Sequence, residues 1–303
     1  MNKNNKRIDV KISFQCNNSC RFCVQGDKRD RFPDKNSQEI MSILREERIN
    51  CNSVVFTGGE PTIQANLIDY VKYAKDLDYK IIQIQTNGRL FFYKDYCLRL
   101  IKAGANVFNP AIHGSSAKIH DYLTRSPGSF KQTMEGIKNL YNLKQKMLFN
   151  TVINKVNYQD LPNIVRILVN FKPSVLQLAF MHISPLIRND PSLVKEIVPR
   201  YFQIEKYVKE SLQVGIKAKI NINTEAIPYC FMKDYEKYVI EDRIPNTNIY
   251  DADSTIKNFN AARKINEKAK GPNCHKCKYN KICEGPWRDY PDIFGWDEFK
   301  PVK

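Results

Sequence analysis

No uncharged apolar run in the chain reaches the roughly 18 residues that a membrane-spanning helix needs. The stretch that comes closest, Pro173 to Ile187, is interrupted by His182 and carries two prolines. The basic segment Met1-Asn-Lys-Asn-Asn-Lys-Arg7 leads into a strand pattern, not into a secretory apolar region with a cleavage site. Arginine stripes, basic low-complexity tails and internal repeats beyond a strand–helix alternation are also missing. The net charge of +16 is therefore spread along the chain, mostly as lysine. Such a spread suits a lysine-covered surface, although an acidic partner such as nucleic acid, an acidic peptide or a phosphorylated metabolite also fits the charge. These absences exclude a membrane span and lead to the expectation of a cytoplasmic protein. In that reducing compartment nine cysteines are not expected to build a disulfide framework. Clustered ones are better read as metal ligands.

What is present is a strand-then-helix pattern over 303 residues, long enough for one large domain with an appendage. Strands are expected at 8–14, 54–57, 81–86, 107–112, 147–153 and 175–179, with helices at 37–48, 67–77, 93–103, 130–143 and 161–171. Six such repeats with short connections argue a parallel sheet, and periodicity alone does not separate a curved barrel from a flat doubly wound sheet. A long helix at 192–214 and a strand at 216–222 are expected next. Beyond them the chain turns irregular and rich in Tyr, Pro, Asn and charge. This places a boundary between a first domain, residues 1–223, and an extension, residues 224–303.

Three cysteines, Cys16, Cys20 and Cys23, follow the first strand at spacings of four and three. Three thiolates can hold three irons of a cubane [4Fe–4S] cluster and leave the fourth without a protein ligand. Zinc favours four ligands and often a two-residue gap, so this spacing fits it poorly. Inert buried thiols are the plain alternative for the triplet alone. One βαβ unit later comes Thr57-Gly58-Gly59-Glu60-Pro61. Both motifs then fall at the carboxyl ends of neighbouring parallel strands, where α/β folds place ligands.

Together, Cys16/Cys20/Cys23 and Gly58-Gly59-Glu60 resemble the radical S-adenosylmethionine (SAM) superfamily. The resemblance implies a partial (β/α)6 TIM-like barrel and a cluster whose open iron is chelated by the amino and carboxylate groups of SAM. It also implies a Gly-Gly-Glu turn that receives the methionine ammonium; glycine permits close backbone approach, and a carboxylate suits an ammonium. His113-Gly114, the stretch from Asp121 to Phe130, and Glu135-Gly136-Ile137 are similar to the fourth-strand region of a subgroup that includes molybdenum-cofactor and peptide-modifying enzymes. Phe149 to Asn154 is similar to its fifth strand, which carries Asn150 over as a SAM contact; the alternative is a strand-end asparagine that satisfies a turn. His113 is either a cavity-lining residue or a packed one. Arg125 either steers a carboxylate or caps a helix.

A second group, Cys230, Cys274, Cys277 and Cys283, supplies four ligands for another [4Fe–4S] cluster or a structural zinc, and spacing leaves both open. Its Cys-x2-Cys-x5-Cys part resembles the SPASM extension, which carries auxiliary clusters. Trp287 stands where that pattern has a further cysteine, so a shortened, twitch-like extension with one cluster is implied. His275 is too close to Cys274 to be preferred as a ligand, and Cys51 and Cys97 read as small packed residues. The resemblance further implies a flavodoxin or ferredoxin-type electron donor, formation of a 5′-deoxyadenosyl radical, and hydrogen abstraction. Oxidation or crosslinking of a ribosomally made peptide is the leading expectation, and oxidation of a sugar or aminocyclitol the second. A non-catalytic iron–sulfur or zinc protein that binds nucleic acid is a reading from another class. It would need aromatics interleaved with basic residues, and only Phe91-Phe92-Tyr93-Lys94 hints at them.

Overall fold

The computed structural model describes residues 6–252 and 254–303, so the first five residues of the basic amino-terminal segment lie outside it. Its strands are β1 (Lys6–Ser13), β2 (Ser53–Gly58), β3 (Ile81–Thr86), β4 (Val107–Pro110), β5 (Lys146–Ile153), β6 (Val175–Phe180), β7 (Ile222–Glu225), β8 (Asn246–Tyr250) and β9 (Thr255–Ile256). The helices are α1 (Ser37–Glu47), α2 (Leu67–Asp76), α3 (Lys94–Ala103), α4 (Ala117–Thr124), α5 (Ser129–Asn142), α6 (Leu161–Leu168), α7 (Pro185–Arg188), α8 (Pro191–Ile197), α9 (Tyr201–Lys217), α10 (Phe259–Ala262) and α11 (Asp289–Phe294). The sheet order is β7-β6-β5-β4-β3-β2-β1-β8-β9, with every pairing parallel except β8–β9. This is an open, partial TIM-like barrel.

Alternation within the strands builds its two faces. In β1, Ile8, Val10 and Ile12 are buried in the core, while Asp9 and Lys11 line a central cavity. β3 repeats the pattern with Ile82 and Ile84 against Gln85, and β5 with Phe149 and Ile153 against Asn150. The strand period thus sends polar side chains such as Asp9, Lys11, Gln85 and Asn150 into a cavity whose wall is otherwise largely apolar. Outside it, α6 buries Leu161, Ile164, Val165 and Leu168, and a side chain of this kind contributes about 2–3 kcal/mol when taken from water.

Four expectations about elements change. The helix expected at 192–214 is two, α8 and α9, separated at Val198-Pro199-Arg200, because a proline cannot supply the amide that a continuous helix needs. The strand expected at 216–222 begins at Ile222, since α9 runs to Lys217. The boundary after residue 223 falls inside β7, whose Thr224 pairs with Leu178. The extension also returns to the sheet: β8 pairs with the outer edge of β1, from Lys6↔Asn246 to Val10↔Tyr250. Phe91, the first aromatic of the stretch that hints at base stacking, is fully buried, and α3 starts at Lys94, the last residue of that stretch. Among the described residues no helix is long and apolar enough to cross a membrane.

Candidate active site

Cys16, Cys20 and Cys23 follow β1 and line one cavity of about 750 Å³, together with Gly58, Gly59 and Asn150. Neighbouring loops hold the cysteine loop in place. Ser19 and Arg21 donate backbone amides to the carbonyls of Thr124 and Leu123 at the end of α4, each at 2.9 Å. Arg89, after β3, donates to the Asn17 carbonyl and, at 2.8 Å, to Asn18 Oδ1. Asn87 Nδ2 donates to Asn17 Oδ1 at 2.6 Å, and the Asn18 amide points at Cys16 Sγ at 3.3 Å. The turn signal at Thr86-Asn87-Gly88 therefore does more than reverse the chain: it supplies side chains that fix the cysteine loop.

Burial pushes the Cys16 and Cys20 thiols above their ordinary range; at Cys16 the Asn18 amide opposes it, and at Cys20 the neighbouring Cys23 and Cys16 push it further against a smaller effect of Arg29. Thiols in this setting ionise only when a metal-centred positive charge joins them. Among the described residues no three His, Cys, Asp or Glu side chains gather as they would around a metal ion. A four-iron cluster ties each thiolate to a different iron, so its ligands stand farther apart than those of one ion. The donor set and its shared cavity fit such a cluster.

Within Gly58-Gly59-Glu60 the glycines and the carboxylate have different surroundings. The Gly59 and Glu60 amides donate to the Ser13 and Gln15 carbonyls at 2.7 and 2.8 Å. A Cβ on Gly59 would meet the Gln15 and Phe14 carbonyl oxygens and lie 2.6 Å from the Phe14 carbonyl carbon. Here the glycine's small size serves the approach of the cysteine loop itself. Glu60 is 1% exposed; its carboxylate accepts from the Thr62 amide at 2.9 Å, from the Thr86 hydroxyl at 2.6 Å and from the Asn87 amide at 2.6 Å. It ties the loops after β2 and β3 together and is not left free for an ammonium. Gly58 and Gly59 are what this turn presents to the cavity.

Asn150 lies at the cavity wall, and its buried Oδ1 has no hydrogen-bond partner. His113 also lines the cavity, edge-on to Phe22 of the cysteine loop at 4.8 Å. Burial, with a smaller effect of His120, brings its imidazole down to about 3. Arg125 is exposed and ends α4 in the left-handed region, φ 53°. Cys51 and Cys97 are buried among apolar neighbours, as expected.

Cys230, Cys274, Cys277 and Cys283 line a second, small cavity of about 30 Å³. Burial raises the Cys230 and Cys283 thiols, with Cys283 and Cys274 respectively among the groups that add to it. His275 points elsewhere, its Nδ1 at 2.7 Å from the Pro272 carbonyl. Trp287 lines the large cavity and not the small one. Gly285 and Pro286 line the small cavity, so a few residues of one strand-like segment join the two sites.

Sequence reasoning missed the half of the large cavity that faces the extension. Trp287 is sandwiched between His182, with ring centroids 3.5 Å apart, and the buried Lys268, whose ammonium is 3.7 Å from the ring centre. Asp251, just past β8, receives Lys11 of β1 and Lys28 of the cysteine segment, the latter at 2.8 Å. The two Asp251 contacts join residues more than 200 positions apart, which no local pattern signals.

Comparison with known proteins adds the following. The family model described as Radical SAM superfamily matches residues 10–168. A "Probable GTP 3′,8-cyclase" of Saccharolobus islandicus is 26% identical over 177 residues, 58% of this chain and 56% of that protein. An "AdoMet-dependent heme synthase" of Oleidesulfovibrio alaskensis is 26% identical over 165 residues, 54% of this chain and 42% of that one. The chain thus spans about half the length of the curated relatives it matches. Among solved structures, SuiB of Streptococcus suis bound to its precursor peptide SuiA superposes with a TM-score of 0.70 at 17% identity, over 95% of this chain and 72% of that one. The enzyme anSMEcpe with bound AdoMet gives 0.68 at 14% identity, over 98% and 93%.

Proposed function

The chain belongs to the Radical SAM superfamily, and from that premise we propose that it is an enzyme that cleaves SAM reductively and takes a hydrogen atom from its substrate. One observation carries the reading: the three cysteines of the β1 loop share a single cavity with the Gly-Gly turn and the orphaned Asn150 acceptor. When bound, the [4Fe–4S] cluster and SAM supply one-electron cleavage of a carbon–sulfur bond, giving methionine and a 5′-deoxyadenosyl radical that abstracts hydrogen. Cys16, Cys20 and Cys23 hold the cluster. The Gly58-Gly59 backbone borders the methionine end of SAM, Asn150 accepts from a SAM donor group, and Glu60 acts through the loops it joins. Cys230, Cys274, Cys277 and Cys283 would hold one auxiliary cluster, which would supply an electron acceptor, with a structural zinc as the second reading for that set. A flavodoxin or ferredoxin in the cytoplasm supplies the first electron.

For the substrate, we favour a ribosomally made peptide. Two similar folds, SuiB and anSMEcpe, are known with a bound peptide, and the extension meets the cavity. The small aminocyclitol or sugar remains the second reading, because Asp9, Gln85 and Asn150 offer polar groups to the cavity. Anaerobic reconstitution with iron and sulfide, followed by dithionite and SAM, tests the proposal. Release of 5′-deoxyadenosine, lost on replacing Cys16, Cys20 and Cys23 with Ala, is the expected result. About eight irons per chain indicates two clusters and about four indicates one. Zinc uptake at the amino-terminal triplet, or no SAM cleavage by iron-loaded protein, overturns it.

A further inference from the structure

The cations that line the large cavity are already engaged. Lys11 is bound to Asp251. Arg29 donates to the Asn18 carbonyl and Ser19. Arg288 donates to the carbonyls of Ile265, Asn266 and Lys268. Most lining carboxylates have partners as well: Asp9 pairs with Arg7, Asp289 with Arg188, and Glu225 accepts from Gln177. Glu267 differs, since its carboxylate has no hydrogen-bond or ion-pair partner among the described residues while it lines the cavity. It is the residue beside Lys268, and its carbonyl accepts from the Arg288 amide at 2.7 Å, next to Trp287.

Two further acceptors stand on the loop after β6. His182 lies against Trp287 and has no hydrogen-bond partner among the described residues. Burial, reinforced by Lys268, Arg263 and Lys11, holds it near 3, so its imidazole is neutral and one ring nitrogen is an acceptor. Glu267 directly precedes Lys268, whose ammonium lies 3.7 Å from the centre of the Trp287 ring that His182 also meets. Ser184 also lines the cavity, is only 7% exposed, and its hydroxyl has no partner. A buried unpaired hydroxyl costs free energy unless something meets it. The surplus here is of acceptors and one bare carboxylate, with no spare cation. A phosphate or carboxylate has nothing to bind to. An ammonium, with a full charge and three N–H donors, matches it.

We propose that the extension-facing half of the cavity, built by Glu267, His182 and Ser184, is a subsite for a primary ammonium group of the substrate. This rests on the radical SAM reading and names the substrate class for it: an amine-bearing molecule, whether a lysine side chain in a peptide or a small aminocyclitol. The subsite selects against nucleoside triphosphates, even though a GTP cyclase is among the relatives.

The test uses full-length, cluster-loaded protein with SAM under anaerobic conditions. Binding of four probes is measured by calorimetry at millimolar concentrations, the range expected for a contact dominated by one charge: the blocked peptide acetyl-Gly-Lys-Gly-amide, its norleucine counterpart acetyl-Gly-norleucine-Gly-amide, 2-deoxystreptamine and GTP. At least one amine should bind, and the norleucine peptide and GTP should not. Glu267→Gln should weaken the amine about tenfold, with the far-UV spectrum unchanged. Binding of the lysine peptide alone assigns the ammonium to a peptide, and binding of 2-deoxystreptamine alone to a small metabolite. The proposal is overturned if neither amine binds, if GTP or the norleucine peptide binds as tightly as the amines, or if folded Glu267→Gln binds them as well as the parent. Should Glu267→Gln fail to fold, the comparison of lysine with norleucine in the parent protein still decides. 5′-Deoxyadenosine release by the same preparation reports the radical reading separately: cleavage without amine binding refutes only the subsite, and amine binding without cleavage refutes only the chemistry.

Discussion

Replacing Gly59 with Ala is the sharpest probe of how the site is built. The added methyl would sit against two backbone carbonyl oxygens of the cysteine loop and 2.6 Å from the Phe14 carbonyl carbon. Backbone at that point is held by the Gly59→Ser13 and Glu60→Gln15 hydrogen bonds, so relief requires moving one loop off the other. Overpacking a rigid site costs about 1–3 kcal/mol, and contact with backbone places this one at the upper end, about 3 kcal/mol. At about 2 °C per kcal/mol for a chain of this size, the melting temperature should drop by roughly 6 °C. Gly26→Ala is the control: its new methyl would meet only Cys23 Cβ at 3.6 Å, an ordinary contact, and its φ is not positive. Thermal unfolding by circular dichroism of the metal-free proteins, paired with iron content after reconstitution, reads both effects. Gly59→Ala should lose stability and iron together, while Gly26→Ala should keep both. If Gly59→Ala melts like the parent and binds as much iron, the claim that this glycine serves loop-to-loop packing is refuted.

Three other outcomes follow from the same structure. His120 is buried, with burial the main cause of its value of about 4 against an ordinary 6.5. The unfolded chain therefore takes up its proton first, so this stability is present above pH 6.5 and is lost as pH falls toward 4. His120→Gln should flatten the urea-measured stability profile in that window by up to about 1.4 kcal/mol per pH unit, and an unchanged slope would count against the assignment. Arg263 and Glu284 form a doubly hydrogen-bonded ion pair, 2.8 Å at both contacts, with both side chains almost fully buried. Glu284→Ala, which leaves the guanidinium unpaired, should cost about 3–5 kcal/mol by denaturant unfolding, whereas a loss below 1 kcal/mol would show that water reaches the pair. Arg89→Met removes the donors to Asn17 and Asn18; iron should leave the reconstituted protein faster on chelator challenge, and an equal rate would mean the cysteine loop holds itself.

Much of the barrel was legible from local pattern. Apolar alternation in Ile8, Val10 and Ile12 marked β1, and the same signal located β3 and β5 to within a residue or two. The cysteine triplet was legible because its spacing is local chemistry. The missed parts depend on contacts distant in sequence. β8 is only five residues long with two asparagines in its first three positions, a weak strand signal, and it forms along the edge that β1 offers. Helix α4 lay inside a stretch whose polar residues read as loop; Leu123 and His120 turn it onto the core. Glu60 was read as a ligand contact because a carboxylate beside two glycines suggests one. Only the placement of Thr62, Thr86 and Asn87 around it shows where its oxygens go.

The pairing of β8 with β1 carries a practical corollary for anyone dissecting the molecule. Cutting after residue 223 would strip the strand that precedes the cysteines of its outer companion, leaving a row of bare amides and carbonyls open to another chain. Lys11 and Lys28 would at the same moment lose the carboxylate they share. A truncated barrel should accordingly clump and shed iron, and its inactivity would say nothing about electron transfer through the deleted part.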